Sequence, residues 1–168
     1  MTVLNTPRLR LVPPQPQHLG AHAAFYASPR AAALGWAFTE NESWRNFAAV
    51  IGHAGLRGFG PFVAERDGLP IGMFGPWHPG GQVEAEIKWI LWDAASEGQG
   101  LAHEAALATR NYAFDILGWT TVASFIAPDN TRSQALASKL GATPERDWHT
   151  PSGKLVTIWR HPKPEVRQ

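Results

Sequence analysis

The sequence predicts a single α/β (α+β) domain spanning residues 1–168, one sheet with helices on its faces, and three observations carry that prediction. "VEAEIKWILW", residues 83–92, alternates with period two and reads as a central strand. After it, Leu101, Ala105, Ala108, Tyr112 and Ile116 recur at helical spacing, and the β-rich run "TTVASFIA" follows. Strand 83–92, helix 100–117 and strand 120–126 together make a right-handed parallel crossover.

The remaining elements follow in order. Residues 8–12, "RLRLV", alternate charged and apolar as a half-buried strand does, and two prolines close it. Gln17 to Tyr26 is helical in pattern, with Pro29 just past its end. In "NESWRNFAAVIGHAG", Asn41 or Ser43 is the expected N-cap, Trp44, Phe47, Val50 and Ile51 form the apolar face, and Gly52 or Gly55 is the stop. "PFVAERDGLPIGMFGPW" reads as a hairpin: a strand through Arg66, a "DG" turn, and a second strand from Ile71 to Phe74. Within 83–92, Val83, Ala85, Ile87, Trp89 and Leu91 share one face, and Glu84, Glu86 and Lys88 share the other until Ile90 and Trp92. Gly118 fits the C-terminal cap of the long helix. "PDNTRSQALASKLGA" gives Asp129 or Asn130 as cap, a short helix carrying Leu136 and Leu140, and Gly141 as stop. "KLVTIWRH" is the last strand, preceded by another within "ATPERDWHT", and the tail "PKPEVRQ" is expected to fray.

Composition narrows the function classes. With 44% hydrophobic and 17% charged residues, the chain has neither a disordered nor a transmembrane signature. "MTVLNTPRLRLV" lacks the apolar core of a secretory signal, and the chain has no cysteine, so a soluble, cytoplasmic protein is expected. Fifteen Lys and Arg against fourteen Asp and Glu give no footprint for nucleic acid or an anionic membrane. A small-molecule or peptide substrate is the better expectation. Of the seven histidines only His18 and His22 are spaced as a helical pair, without an acidic partner, so no metal site is expected and surface or capping roles are preferred. Trp36, Trp44, Trp77, Trp89 and Trp92 either line an acceptor pocket or, as large aromatics more often do, fill the core.

The turn "EGQGLA", residues 97–102, sits at the mouth of the long helix. Orphan N–H groups and the positive end of the macrodipole favour an anion there, and Gly98 and Gly100 let a phosphate approach without a Cβ in the way. The alternative is a tight strand-to-helix connection and nothing more. No Gly-Lys-Ser/Thr is present, and His103 stands where a dinucleotide fingerprint needs its third glycine.

"AEIKWILWDAASEGQGLAHEA" resembles the central motif of the GNAT superfamily of acetyl-CoA-dependent N-acetyltransferases, whose signature is Arg or Gln, two variable residues, Gly, one variable, then Gly or Ala. The glycines match and Glu97 does not. "DNTRSQALASKLGA" is similar to the family's Asn-x-x-Ser/Ala helix, and "TPRLRLVPP" resembles the first strand of its RimJ/RimL-like subgroup. The resemblance implies a curved mixed sheet of about six to seven strands with helices on both faces, in which strands 83–92 and 120–126 run parallel but splay apart. Acetyl-CoA is the implied cosubstrate. Its pantetheine arm would pair with backbone groups of Ile90, Leu91 and Trp92, and its pyrophosphate would rest on Glu97, Gly98, Gln99, Gly100, Leu101 and Ala102. Asn130 would hold the arm from the other lip, cap the helix, or do both.

By the same resemblance the reaction is direct attack of a primary amine on the thioester through a tetrahedral intermediate. Glu86 is the candidate base; the alternative is a solvated strand face in which Glu84, Glu86 and Lys88 pair with one another. Roughly 13 Å of strand separates Glu86 from Ile90, so proton transfer would pass through a water. An N–H near Leu91 or Trp92 would meet the oxyanion. The family's thiolate-protonating tyrosine position is Ala137, leaving Ser133 or Ser138 acting through water, or no acid at all. The acceptor is a small-molecule amine or a protein N-terminus, and a homodimer is a partner the resemblance allows. Two other readings stay open: a catalytically silent acyl-CoA-binding or sensor module, suggested by Glu97 and Ala137, and a nucleotide-binding domain built on the same glycine turn.

Overall fold

The computed structural model describes residues 2–163; the last five residues of the tail expected to fray lie outside the described residues. Eight strands form one mixed sheet in the order β1-β2-β3-β4-β5-β6-β8-β7. They are β1 (Leu4–Asn5), β2 (Arg10–Val12), β3 (Phe62–Arg66), β4 (Leu69–Trp77), β5 (Glu86–Leu91), β6 (Val122–Ile126), β7 (Thr143–His149) and β8 (Leu155–His161). The sheet exceeds the expected six to seven strands by one, because the two-residue β1 pairs with β2 and is too short to leave a periodic signal. Among the described residues five α-helices complete the fold: α1 (Leu19–Tyr26), α2 (Pro29–Ala33), α3 (Glu40–Arg57), α4 (Leu101–Asp115) and α5 (Thr131–Lys139).

Side-chain alternation along the strands builds a core on each face. Leu11, Phe62, Ala64 and Phe74 pack with Leu101, Ala105 and Ala106 of α4, and Leu136 and Leu140 from the α5 region join them. Val12, Val63, Met73, Ile90 and Trp92 point the other way, against Phe25 and Tyr26 of α1, Ala31 of α2 and Val50 of α3. Helices therefore cover both faces. None of the described helices is long and apolar enough to cross a membrane.

The hairpin turn is the expected Asp67-Gly68, both at positive φ (52° and 79°), which suits the right-handed twist of β3 and β4. Strand β4 runs further than expected in both directions and contains Pro70 and Pro76. Pro76 stands opposite Ile87 of β5. Because Trp92 N–H donates to Ile71 O at 2.8 Å, alternation makes 76–87 a pair that exchanges no hydrogen bonds, so the ladder needs no N–H from Pro76.

Several boundaries differ from expectation for identifiable reasons. Helix α1 ends at Tyr26 with Pro29 beyond it, as expected, but Pro29 also opens a second helix, α2, whose N-cap is Ser28. The N-cap of α3 is Thr39, which forms a reciprocal capping box with Glu42, and the helix runs through Gly52 and Gly55 to stop at Gly58, at φ 76°. Of its expected apolar face, Phe47 and Val50 are buried while Trp44 and Ile51 are exposed. Four of the seven histidines, His18, His22, His53 and His161, are buried rather than at the surface. His22 is held by Ser43 Oγ at 2.9 Å and Asn46 Oδ1 at 3.0 Å, and burial pushes its pKa down to about 4.

Candidate active site at the splayed strands

Strand β5 pairs with β4 through six consecutive residues, Glu86 to Leu91. Its parallel pairing with β6 consists of the single register Glu86–Ala123. Beyond that point the strands separate, and side chains satisfy the backbone groups the ladder abandons. Phe125 N–H donates to Glu86 Oε2 at 3.2 Å, and Ser124 Oγ donates to Ile87 O at 2.6 Å. Ser124 spends its one proton there, so His161, 2.9 Å away, presents Nε2–H to the hydroxyl oxygen.

Two clefts meet at this opening. One, of about 750 Å³, runs from the glycine turn along β5 and α5; the other, of about 770 Å³, lies toward β6, β8 and helices α1 and α3. They share Leu34, Trp36, Trp89, Ile90, Asn130 and Ser133. Trp89 Nε1–H donates to Ser133 Oγ at 3.1 Å, linking β5 to α5 where the clefts join. Asn130 Oδ1 accepts Ser133 N–H at 3.1 Å and so caps α5.

The first cleft carries features that favour an anion. Gly98 (φ 71°) and Gly100 (φ 76°) are left-handed, and a Cβ at Gly98 would meet open space, so glycine serves backbone conformation there rather than packing. Among the described residues the N–H groups of 98–103 have no protein acceptor; the first amide of α4 to find one is that of Glu104, on Gly100 O at 3.0 Å. The turn is braced from outside. Arg8 reaches Gln99 O at 2.8 Å and Glu104 at 2.7 Å, and Arg66 reaches Gln99 Oε1 at 2.6 Å. The basic side chains Arg30, Arg132 and Lys139 line this cleft against one carboxylate, Glu97.

A model of the acetyltransferase (GNAT) domain matches residues 8–143. The chain belongs to the GNAT acetyltransferase family. An acetyltransferase from Agrobacterium tumefaciens str. C58 is similar over 97% of this chain and 95% of its own, at 29% identity and a TM-score of 0.87. The same fold appears in the aminoglycoside acetyltransferase AAC(6')-Ib in complex with coenzyme A (19% identity, TM-score 0.73, 92% and 94% covered). RimL, a ribosomal L7/L12 alpha-N-protein acetyltransferase in complex with coenzyme A, shares it at 16% identity and TM-score 0.75, covering 95% and 97%.

In this GNAT domain the second cleft contains Glu86 and Lys88 among Tyr26, Trp36, Phe38 and Asn46. The face of β5 carrying Glu86 is not a solvated one: Glu86 is 9% exposed, and Ile90 and Trp92 further along the same face pack against α1, α2 and α3. Burial pushes the Glu86 pKa up, against the opposing pull of Lys88 and the Phe125 amide. Burial likewise pushes Lys88 down, opposed by Glu86, and its ammonium lies 4.6 Å from the centre of the Trp77 ring. Glu84, the expected neighbour on that face, is instead paired with Arg160 at 2.6 Å.

Most sequence-derived residues converge here. Leu91, Glu97, Gly98, Gly100, Leu101 and Ala102 line the first cleft, Glu86 lines the second, and Ile90, Asn130 and Ser133 line both. Two do not fit as expected. Gln99 turns outward, its side chain held by Arg66 and by Ala95 O. Trp92 is buried on the α1 face with its N–H committed to Ile71 O, so of the two amides expected to meet an oxyanion, alternation turns only that of Leu91 toward the opening. Trp36 and Trp89 line the clefts, Trp92 is core with Trp77 packed against it, and Trp44, being exposed, fills neither expected role. Ala137 is buried and Ser138 exposed, leaving Ser133 as the hydroxyl at the junction. Sequence reasoning missed Arg30 and Lys88 as site residues and passed over Arg132, although it stands two residues after the cap Asn130.

Proposed function

We propose that the protein is an acetyl-CoA-dependent N-acetyltransferase acting on a primary amine, either a small molecule or, in keeping with the RimJ/RimL-like first strand, a protein N-terminus. The observation that carries this reading is a cleft lined by unpartnered backbone amides and basic side chains, meeting at the sheet opening a second cleft that holds a buried carboxylate. The coenzyme A bound in two proteins of the same fold supports the choice of donor. In this reading the amides of residues 98–102 take the pyrophosphate, and Leu91 N–H faces the thioester oxygen as charge develops on it. Glu86 accepts the ammonium proton through a water, and its raised pKa keeps it a stronger base than an exposed glutamate. The amine nitrogen bonds to the acetyl carbon and the C–S bond breaks; the nitrogen gives up its second proton to water, and the thiolate takes one from water or through the Ser133 hydroxyl, whose oxygen already accepts from Trp89.

Glu86 and Asp129 against Lys88 and Lys154 leave the acceptor cleft without net charge, which favours a monoamine over a polycation. The silent-module reading loses one of its two supports, since Glu97 is neutralised by Arg30 and Arg132.

The test is the unfolding midpoint with excess acetyl-CoA beside ADP and pantetheine, followed by thiol release with a panel of amines. Ligand at a hundred times its dissociation constant stabilises by about 2.7 kcal/mol, a shift of roughly 5 to 10 °C. A shift with acetyl-CoA and turnover with an amine are expected. An equal shift with ADP alone would favour the nucleotide-binding reading, and binding without turnover the silent module.

A further inference from the structure

Glu97 stands where the family signature has Arg or Gln, beside a site for phosphate, and Coulomb's law alone makes it an obstacle. The structure surrounds it with cation. Arg30 Nη2, from α2, lies 2.5 Å from Glu97 Oε1, and Arg132 Nη1, from α5, lies 3.0 Å from both carboxylate oxygens. All three side chains line the same cleft as Gly98 and Gly100. We propose that Glu97 is a positioning residue that holds Arg30 and Arg132 as a two-armed clamp for the phosphates of the donor. The proposal rests on the reading of that cleft as an acetyl-CoA site.

The two arms differ in how they are held. Arg30 is fixed from several directions: its Nη1 donates to Leu91 O at 2.9 Å and Trp92 O at 3.1 Å, and its guanidinium lies 5.5 Å from the centre of the Phe25 ring. Arg132 is 80% exposed, and its recorded partner is Glu97. One carboxylate between two guanidiniums leaves a net positive charge at the cleft mouth. It also spares Arg132 much of the rotamer entropy it would otherwise lose on meeting a phosphate. The Arg or Gln of the family signature is thus replaced by two arginines from elements on either side of the turn, tied together through the acid. The clamp bridges the lips of the cleft, so the fixed arm keeps the end of β5 in place while the exposed arm is free to exchange carboxylate for phosphate.

The deciding measurement is the dissociation constant of coenzyme A for wild type and Glu97→Gln, with pantetheine as the phosphate-free control. Glu97→Gln is expected to weaken coenzyme A about tenfold, the scale of one lost charge-assisted contact, and to leave pantetheine unchanged. In the Arg132→Ala background the same substitution is expected to cease weakening coenzyme A, because the movable arm it positions is gone. Tighter or unchanged coenzyme A binding by Glu97→Gln in the wild-type background would overturn the clamp and leave the acetyl-CoA reading standing. Equal weakening of pantetheine would overturn it too, by showing general damage to the cleft. Wild type that binds neither coenzyme A nor ADP would remove both readings together.

Discussion

The two edges of β5 are made of the same six residues and behave oppositely. Toward β4 the strand is zipped along its whole length, closely enough that a Cβ at Gly72 would overlap the Ile90 carbonyl. Toward β6 it is paired at Glu86 and then open, with the Glu86 and Ser124 side chains bridging what the backbone leaves unpaired. A sealed edge is specified by backbone spacing and tolerates no added atom. An open edge needs side chains to satisfy the abandoned donors and acceptors, and those polar groups are then in place to serve chemistry.

The sealed edge is broken most severely by Gly72→Ala. The methyl group must displace the β5 backbone, and a loss of about 3 kcal/mol is expected, read by denaturant titration as a lower midpoint at unchanged slope. At the open edge, Glu86→Gln retains an oxygen to accept from Phe125 but cannot take a proton. Turnover by thiol release is expected to fall about a hundredfold, with little change in thermal midpoint. The pH profile sharpens this. A base works ionised, so raising its pKa moves the acid limb of wild-type kcat/KM above the ordinary carboxylate range, and Glu86→Gln abolishes that limb.

Ser124→Ala leaves Ile87 O and His161 Nε2–H unpaired in the interior and should cost about 2 kcal/mol, measured by the same titration. Burial, with Arg110 and Arg160 nearby, pushes His161 down to about 4. Between about 6.5 and 4 the unfolded chain therefore takes up a proton that the folded chain refuses, and stability is expected to fall across that window as pH drops. Smallest is Arg8→Ala, which unties the glycine turn from outside the cleft. The pair with Glu104 is half-exposed, so less than about 1 kcal/mol is expected, seen as a thermal shift of a few degrees at most.

The parts of the site legible in the sequence are those whose cause is local. Gly98 and Gly100 announce a left-handed turn, Asn130 a cap, Asp67-Gly68 a hairpin, and residues 83–126 a crossover, because each depends on neighbours a few residues away. The register in which β5 leaves β6 has no local signature, and Glu86 is held by the amide of Phe125, 39 residues further along the chain. Glu97 shows the division most clearly. Its sequence context made it a misplaced charge, while Arg30 and Arg132 stand 67 and 35 residues away along the chain.

By itself, then, the sequence determined the order of elements, the mixed sheet with its crossover, and the anion-receptive turn, since hydrophobic period, capping chemistry and glycine conformation act over short range. Tertiary structure alone decided the eighth strand, the outward turn of Gln99, the pairing of Glu97 and the enclosure of Glu86. Each of these is settled by which distant side chain satisfies a charge or a hydrogen bond once the chain has closed on itself, and no periodicity along the chain records that choice.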